Sequence, residues 1–322
     1  MPPKSNPRQG SMQFWPRKRA KQSHARIRSW ATESKVKPLG FVGYKAGMAH
    51  VMVTDNRPKS LTKEETISLP VTIIDCPAMT VAGVCFYKKG LLGREKCSTI
   101  LAEKLSKDLG RLIALPKKTF KKVDDIQECD DIRLLVHSNP KHTSIGAKKP
   151  VLVEIALGGP VEEKRAYAKD MLGKDISLSD IFEEGSLLDV HGITKGKGFQ
   201  GVVKRYGVPI LQHKGEKAKR SIGNLGSWTP KRVEFTVAQP GKMGYHTRTQ
   251  YNNQILKIGT DGKEITPKSG FGRYGIVKNN YILLHGSVAG SVKRTVILTA
   301  AIRPPRKMHK DAFSIEFVST QK

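Results

Sequence analysis

Residues 39–55 read LGFVGYKAGMAHVMVTD and open the part of the chain in which the sequence predicts ordered structure. Valine and aromatic side chains recur in this stretch, and they favour two strands at about 39–45 and 48–54. Lys45-Ala46-Gly47 lies between the two and is expected to form a tight turn. The stretch therefore predicts a β-hairpin.

The strand pattern continues beyond this stretch on both sides of a central region that also contains helical patterns. Strands are predicted in ISLPVTIIDC, TVAGVCFYK, DIRLLVHS, PVLVEIAL, SLLDVHGIT, GFQGVVKRYG, QILKIGTDG, NYILLHGSV, VKRTVILTAAI and AFSIEFVS. Helices are predicted in STILAEKLSKDLG (98–110), VEEKRAYAKDML (161–172) and SLSDIFEE (177–184). The order β-rich, α/β, β-rich favours a mainly β fold, a glycine-punctuated β-barrel with an inserted α/β module, over a run of βαβ units.

The charge of the chain indicates a polyanionic partner. The 322 residues include 57 Lys+Arg and 28 Asp+Glu, giving a formal net charge of +29. Basic residues outnumber acids ten to one in residues 1–38 and twelve to two in residues 191–250, whereas acids outnumber basic residues fourteen to nine in residues 122–190. This alternation predicts basic segments that contact nucleic acid and an acidic module turned away from it.

Several classes of protein are excluded by the same inspection. No apolar run approaches the roughly 18–20 residues of a membrane span, and residues 1–30 lack the apolar segment of a secretory signal. The four cysteines show no metal-ligand spacing and are typical of a reducing compartment. A cytoplasmic protein is therefore expected.

The N-terminal extension, residues 1–38, is predicted to have no stable structure on its own. Its prolines prevent a continuous helix, and it has too few apolar residues to offset the entropy lost on ordering. Phe14, Trp15 and Trp30 alternate with Lys and Arg, which suits a segment that follows phosphates and stacks on bases or in apolar clefts. A mobile tail or a targeting sequence is the alternative.

A second such segment spans about residues 208–250. It is rich in glycine, proline and basic residues, and Trp228 and Tyr245 stand alone as aromatics. A structureless stretch of this length is uncommon in a compact domain unless another molecule orders it. The composition favours a loop extension that is ordered by RNA.

Gly196, Gly198 and Gly201 form a GxGxxG pattern, but its context argues against a dinucleotide cofactor. The third glycine leads into the β-branched VVKRYG rather than a helix, and no acid lies near residue 221 for a ribose. The glycines can still bring backbone N–H groups close to phosphate. Four basic residues surround this turn, and the last is expected to grip one phosphate bidentately: Lys195, Lys197, Lys204 and Arg205. The neighbouring Phe199 is either a core residue or a stacking platform.

Catalytic patterns are weak throughout the chain. The nine histidines form no HExxH pair, and no GxSxG turn is present. The acid pairs Asp124-Asp125, Asp130-Asp131 and Glu183-Glu184 are interpreted as solvated faces. Asp189 and His191 share one strand face through alternation alone.

The segment DVHGITKGKGFQGVVKRYG, followed by HKG, GSW and QPGKMGYHTRTQYN, closely resembles the universal large-subunit ribosomal protein family called L-three. The basic FWPRKRA arm, GFVGYKAGMAHV, ILKIG and YILLHGSV extend the resemblance over most of the chain. The acidic central insertion and the SW-containing loop are similar to the archaeal and eukaryotic branch.

The resemblance implies a six-stranded barrel of the kind shared by translation proteins, with no catalytic activity and no cofactor. The implied divisions are an N-terminal extension (1–38), a barrel (39–75 and 186–322), an inserted α/β module (76–185) and the loop extension (208–250). The implied partners are 23S rRNA and other large-subunit proteins, without a membrane, metal or small-molecule substrate. The family supports early subunit assembly and places the loop tip, here Trp228, near the peptidyl transferase centre.

The predicted rRNA-binding residues combine these arguments. Arg17, Lys18 and Arg19 match the arm of the family, and His213 and Lys214 match the stem of its loop. The set also includes the basic residues of the glycine turn and Trp228. Six further residues of the loop complete it: Lys219, Arg220, Lys231, Arg232, His246 and Arg248.

Two other functions remain as alternatives. A basic nucleic-acid enzyme needs a carboxylate or metal cluster in the basic region, where residues 191–250 offer only Glu216 and Glu234. A DNA-packaging protein favours helical basic stripes or short duplicated units over one long loop.

Overall fold

The computed structural model of the protein describes residues 8–116, 122–126, 128–311 and 313–320. The strands and α-helices follow one another in this order: β1 (Gly40–Asp55), β2 (Thr66–Asp75), β3 (Met79–Gly90), β4 (Gly93–Leu101), β5 (Asp131–His137), β6 (Leu152–Ala156), α1 (Val161–Asp170), β7 (Asp175–Ile176), β8 (Leu187–Ile193), β9 (Phe199–Gln200), α2 (Val202–Tyr206), β10 (Gly241–Lys242), β11 (Thr247–Gly259), β12 (Tyr281–His285), β13 (Thr295–Ala300) and β14 (Phe313–Val318). Short 3₁₀ helices cover Lys107–Arg111, Val123–Asp125, Pro140–His142 and Gly262–Glu264.

Seven strands form the first sheet, in the order β13-β8-β11-β12-β2-β1-β14. β1 is 16 residues long and also pairs with β13, through Gly40–Tyr44, while Val51–Asp55 pairs with β14. Six strands thus close a ring of pairings, and β14 extends from β1 outside that ring. The prediction of a mainly β chain is confirmed.

The hairpin predicted in residues 39–55 is wrong, because this stretch forms one strand, β1. Its register against β2 shifts between Lys45 and Gly47, so a β-bulge lies where the sequence predicted a turn. A Cβ atom added to Gly47 would lie 2.6 Å from the Phe271 ring. The glycine therefore permits close packing inside a bulged strand instead of a chain reversal.

The second sheet is formed by β3–β7, which follow β2 and precede β8 in the chain. Its order is β4-β3-β5-β6, and β7 also pairs with β3. The α/β content predicted for this region is too high, because α1 is its one α-helix among the described residues.

Two of the three helical predictions fail for a tertiary reason, while the third, α1, is confirmed. Residues 98–101 belong to β4 and pair with β3, and Ser106 then caps a short 3₁₀ helix by accepting the Asp108 N–H. Residues 177–184 make a single turn in which the Ile181 and Phe182 N–H groups both donate to the Leu178 carbonyl. Strand pairing and burial override local helical spacing in both places.

The apolar runs of the central strands serve two separate cores. In β12, Ile282 and Leu284 pack into a core shared with β3, β5 and β8. Tyr281 and Leu283 point to the other face and join a core that includes Phe271. Both faces of the strand are covered, so its sequence is continuously apolar instead of alternating.

The chain divides into two compact units. The loop unit comprises residues 8–22 and 193–247, and the sheet unit comprises residues 23–192 and 248–320. The division of the sheet unit at residues 75 and 186 stays a prediction. Within the described ranges, no helix has the length and apolarity needed to cross a bilayer.

Candidate nucleic-acid interface

The glycine-dense turn at residues 194–201 is held by backbone hydrogen bonds to the other end of the loop unit. The Lys197 N–H donates to the Met243 carbonyl and the Met243 N–H donates to the Gly198 carbonyl, both at 2.9 Å. Gly244 has a φ of +74°, and a Cβ atom there would collide with the Lys195 carbonyl, so this crossing requires glycine.

The predicted phosphate-approach glycines differ in what surrounds them. Cβ atoms added to Gly198 or Gly201 would meet nothing within 4 Å, whereas one on Gly196 would lie 3.7 Å from Tyr245. Since packing inside the chain does not require Gly198 or Gly201 to be small, both leave the backbone open to a ligand.

The expectation that no helix follows the third glycine is wrong. Gly201 is the N-cap of α2, which spans Val202–Tyr206, and Gly207 ends it after one turn in the left-handed conformation, with a φ of +74°. The helix ends after one turn because Gly207 has no Cβ atom and adopts the left-handed conformation at little cost in free energy.

The three lysines around this turn, Lys195, Lys197 and Lys204, are exposed. None of them forms an ion pair with a carboxylate among the described residues. Phe199 is 73% exposed, which removes the core interpretation and leaves its ring available for stacking.

Arg205 lies at the base of the loop unit and is used differently from the lysines. Its guanidinium donates to the carbonyls of Gln239 at 2.7 Å, Lys242 at 3.2 Å and Arg17 at 3.2 Å. Arg17 returns a hydrogen bond from Nη1 to the Arg205 carbonyl at 3.1 Å. This reciprocal arrangement favours a positioning role for both arginines, and the bidentate phosphate grip that the sequence suggested for Arg205 stays a prediction.

Aromatic rings complete the contact between the N-terminal segment and the loop. The Arg17 guanidinium lies 4.2 Å from the centroid of the buried Tyr206 ring. Trp15 stacks at a tilt on Tyr206, with centroids 6.0 Å apart, and meets Phe235 edge-on at 5.9 Å. Trp15 is therefore engaged within the loop unit, and Trp30 packs against the main core of the sheet unit.

Most of the remaining predicted residues lie exposed along the loop. The Leu211 N–H donates to the Lys219 carbonyl at 2.9 Å and closes the stem. Trp228 is 84% exposed, in a turn closed by the Lys231 N–H donating to the Trp228 carbonyl at 2.8 Å. The exposed basic side chains are those of Lys18, Arg19, His213, Lys214, Lys219, Arg220, Lys231 and Arg232.

Two of the predicted residues lie apart from this exposed set. His246 is buried, and its Nδ1 lies 2.9 Å from the Lys18 carbonyl. A carbonyl oxygen only accepts, so Nδ1 carries the proton and His246 holds the N-terminal segment in place. Arg248 is half-buried and falls in the sheet unit.

Sequence reasoning missed several residues of this surface. Lys217 and Lys242 are as exposed as the lysines that were named, and charge alone would have found them. Phe235 is 80% exposed and was not singled out. Tyr206 gave no signal, because its role depends on contacts with Trp15 and Arg17, which lie far away in the sequence.

The acids and histidines that the structure describes form no catalytic arrangement. Asp189 accepts hydrogen bonds from the Asn252 and Ile302 N–H groups, while both ring nitrogens of His191 lie 3.0 Å from threonine hydroxyls. Burial lowers the pKa of His191, and this effect exceeds that of the negative charge of Asp189, which raises the same pKa. Asp131 is buried and ion-paired, so its interpretation as a solvated face is wrong. Across the described ranges, no cluster of three His, Cys, Asp or Glu side chains could hold a metal.

The family model and the individual relatives that match this chain all belong to the same ribosomal protein family. The family model described as Ribosomal protein L3 matches residues 1–322. The chain is 46% identical over 308 residues to the large ribosomal subunit protein uL3 of Methanococcus maripaludis (strain C7), across 93% of this chain and 92% of the relative. It is 45% identical to the proteins of the same name from Methanocaldococcus jannaschii, over 98% and 97% of the two chains, and from Archaeoglobus fulgidus, also over 98% and 97%. The chain therefore belongs to the ribosomal protein L3 family, whose members are structural constituents of the large ribosomal subunit and not enzymes.

Proposed function

We propose that the loop unit binds 23S rRNA through its exposed basic surface. One observation carries this proposal: eleven Lys and Arg residues lie between positions 195 and 242, and none pairs with a carboxylate within the described part of the chain. Unpaired charge at this density repels itself and is neutralised most effectively by phosphates.

The tip of the loop, with Trp228, reaches toward the peptidyl transferase centre. The exposure of the Trp228 ring supports this role, since a large aromatic side chain held in water is costly unless a partner covers it. The glycine turn and the exposed Phe199 approach the RNA backbone and bases from the base of the same loop.

The sheet unit supports early subunit assembly. In this proposal its six-stranded ring of pairings corresponds to the barrel that the family resemblance implies, and β3–β7 correspond to the inserted module. The acidic part of that module faces other large-subunit proteins. The assembled particle functions in the cytoplasm.

Site-specific crosslinking in assembled subunits tests this proposal. A photoreactive benzoylphenylalanine replaces Trp228, and a matched control carries it at Phe317, which is 56% exposed on β14 of the sheet unit. Crosslinks from position 228 are expected in the peptidyl transferase region of 23S rRNA, and those from position 317 elsewhere. Crosslinks from position 228 that map only to protein, or to a distant rRNA domain, would overturn the assignment of the tip.

A binding experiment tests the RNA-binding claim separately. The purified chain is titrated with 23S rRNA and with 16S rRNA at several salt concentrations. Tighter binding to 23S rRNA, with a steep loss of affinity as salt rises, is expected. Equal affinity for both RNAs would contradict specific binding.

A further inference from the structure

The segment after β13, residues 302–310, reads IRPPRKMHK and carries basic residues without an acid. Its start is tied to the body of the sheet unit by a fully buried carboxylate. Asp189 accepts the N–H of Ile302 at 3.0 Å and the N–H of Asn252, in β11, at 2.9 Å. One side chain therefore fixes the strand and the segment together.

The fixed backbone places Tyr251 beside Arg303. Asn252 is in the left-handed region, with a φ of +57°, and its side-chain amide donates to the Arg303 carbonyl at 3.0 Å. The Arg303 guanidinium then lies 4.7 Å from the centroid of the Tyr251 ring, which is 48% exposed. A guanidinium held over an aromatic ring keeps N–H groups at its edges that can donate, and no carboxylate pairs with Arg303 in the described ranges.

The next residues add charge in a restricted conformation. Pro304 and Pro305 fix their own φ angles and favour an extended backbone. Arg306 and Lys307 follow directly and are exposed. The segment therefore presents an exposed aromatic ring paired with a guanidinium and, a few residues away, two more cations.

We propose that Tyr251, Arg303, Arg306 and Lys307 form a second RNA contact, separate from the loop unit, that takes an unpaired nucleotide together with its phosphates. The base stacks on the Tyr251–Arg303 pair, the guanidinium edge grips one phosphate, and Arg306 and Lys307 neutralise the next ones. This inference rests on the proposed binding of rRNA. An acidic protein segment would use the charges, but it would have no need of the flat stacked surface.

Variants that keep the charge isolate the contribution of stacking. Arg303→Lys and Tyr251→Leu are compared with wild type and with Arg273→Lys, a matched change at another exposed arginine of the sheet unit. In 23S rRNA titrations of the full chain, both test variants are expected to lose at least about fivefold in affinity. The salt dependence should stay the same because no charge is removed. Hydroxyl-radical footprinting should show one protected patch lost, and Arg273→Lys should change neither affinity nor footprint.

The outcomes separate this inference from the proposed function. If wild type does not prefer 23S rRNA, the proposed function fails. If wild type binds and loop lysine variants bind weakly, but Arg303→Lys and Tyr251→Leu keep full affinity and footprint, only the second contact is wrong.

A photoreactive residue at Lys307 in assembled subunits provides an independent measurement. It is expected to crosslink to rRNA, and crosslinks confined to a neighbouring protein would overturn the inference. Thermal unfolding of each variant verifies folding, and the Lys307 crosslink decides the question if Tyr251→Leu is unstable.

Discussion

The second sheet and the loop unit use charged residues in opposite ways. In the second sheet, Asp131 accepts from Arg94, Arg133 and Lys164 at 3.1, 3.4 and 3.1 Å. Further carboxylates in the stretch of chain that contains this sheet, between residues 108 and 170, also meet a lysine: Asp108, Asp124, Glu128, Glu154 and Asp170. The lysines and arginines of the loop unit have no such partners among the described residues, which agrees with the proposal that RNA phosphates neutralise them.

The two regions also differ in what gives them order. The second sheet buries apolar side chains in a core, whereas the loop unit relies on backbone hydrogen bonds, the Arg17–Arg205 exchange and a small aromatic cluster. The N-terminal extension and the loop, each predicted to need RNA for its order, contact one another at their bases. The exposed tip around Trp228 lacks comparable internal contacts, and its conformation is therefore expected to depend most on RNA.

The largest effect is expected for Asp131→Asn. The side chains of Arg133 and Lys164 are only 12% and 13% exposed, so removing their shared carboxylate leaves two cations mostly buried without a partner. Breaking such a pair costs about 3–5 kcal/mol in the free energy of unfolding. Urea denaturation of the full chain measures this cost.

The matched control is Asp124→Asn. Asp124 and its partner Lys169 are both about 60% exposed, so less than about 1 kcal/mol is expected for the same chemical change. Equal losses of stability for Asp124→Asn and Asp131→Asn would contradict the claim that a carboxylate stabilises this region mainly when it is buried.

The next largest effect is expected for Lys195→Gln, Lys197→Gln and Lys204→Gln combined. These lysines contribute no ion pair to the fold, so stability should hardly change, whereas 23S rRNA affinity should fall by roughly tenfold to a hundredfold near physiological salt. The slope of log affinity against log salt should become shallower by about 2, because each lost phosphate contact contributes about 0.7.

Three lysines from the stretch of chain that contains the second sheet, changed to Gln together, provide the control. Lys88, Lys141 and Lys169 each pair with a carboxylate, so their loss removes the same total charge from a region where it is already neutralised. A salt slope that falls equally in both triple variants would mean that net charge, rather than the loop unit, governs RNA binding.

The sequence predicted the strands and the exposed basic residues better than it predicted the contacts within the loop unit. β3, β5 and β6 were predictable because each is a short apolar run ended by polar residues. β1 was misread because Gly47 is equally compatible with a turn and with a bulge, and only its packing on Phe271 decides between them. The carbonyl contacts of Arg205 were not predicted because a sequence shows that a side chain is charged but not which distant carbonyls it meets.

A smaller effect is expected for Arg205→Lys, and it decides between the two roles considered for this residue. Lysine keeps the charge but cannot reach three carbonyls at once, so amide exchange in residues 8–22 and 239–243 should become about tenfold faster. The salt slope of 23S rRNA binding should not change. Arg220→Lys, at an exposed position of the same loop, should leave amide exchange as it is.

The alternative outcome for Arg205→Lys would be equally informative. Unchanged exchange together with lost RNA affinity would mean that the guanidinium leaves the carbonyls and grips a phosphate, as the sequence alone suggested. The role of Arg205 would then resemble that of Lys197, and the distinction between the base of the loop unit and its charged surface would disappear.

The smallest effect on RNA binding is expected for Trp228→Ala. The substitution removes one aromatic ring and no charge, so the salt slope should stay the same and 23S rRNA affinity should fall by less than in the triple lysine variant. The defect should instead appear in translation by assembled ribosomes, because the tip is proposed to act at the peptidyl transferase centre. Trp228→Phe, which keeps an aromatic face, should recover most of the activity. Ribosomes with Trp228→Ala that assemble poorly but translate normally would show that the ring stabilises the particle, and the tip would then act like the base of the loop rather than as a separate functional element.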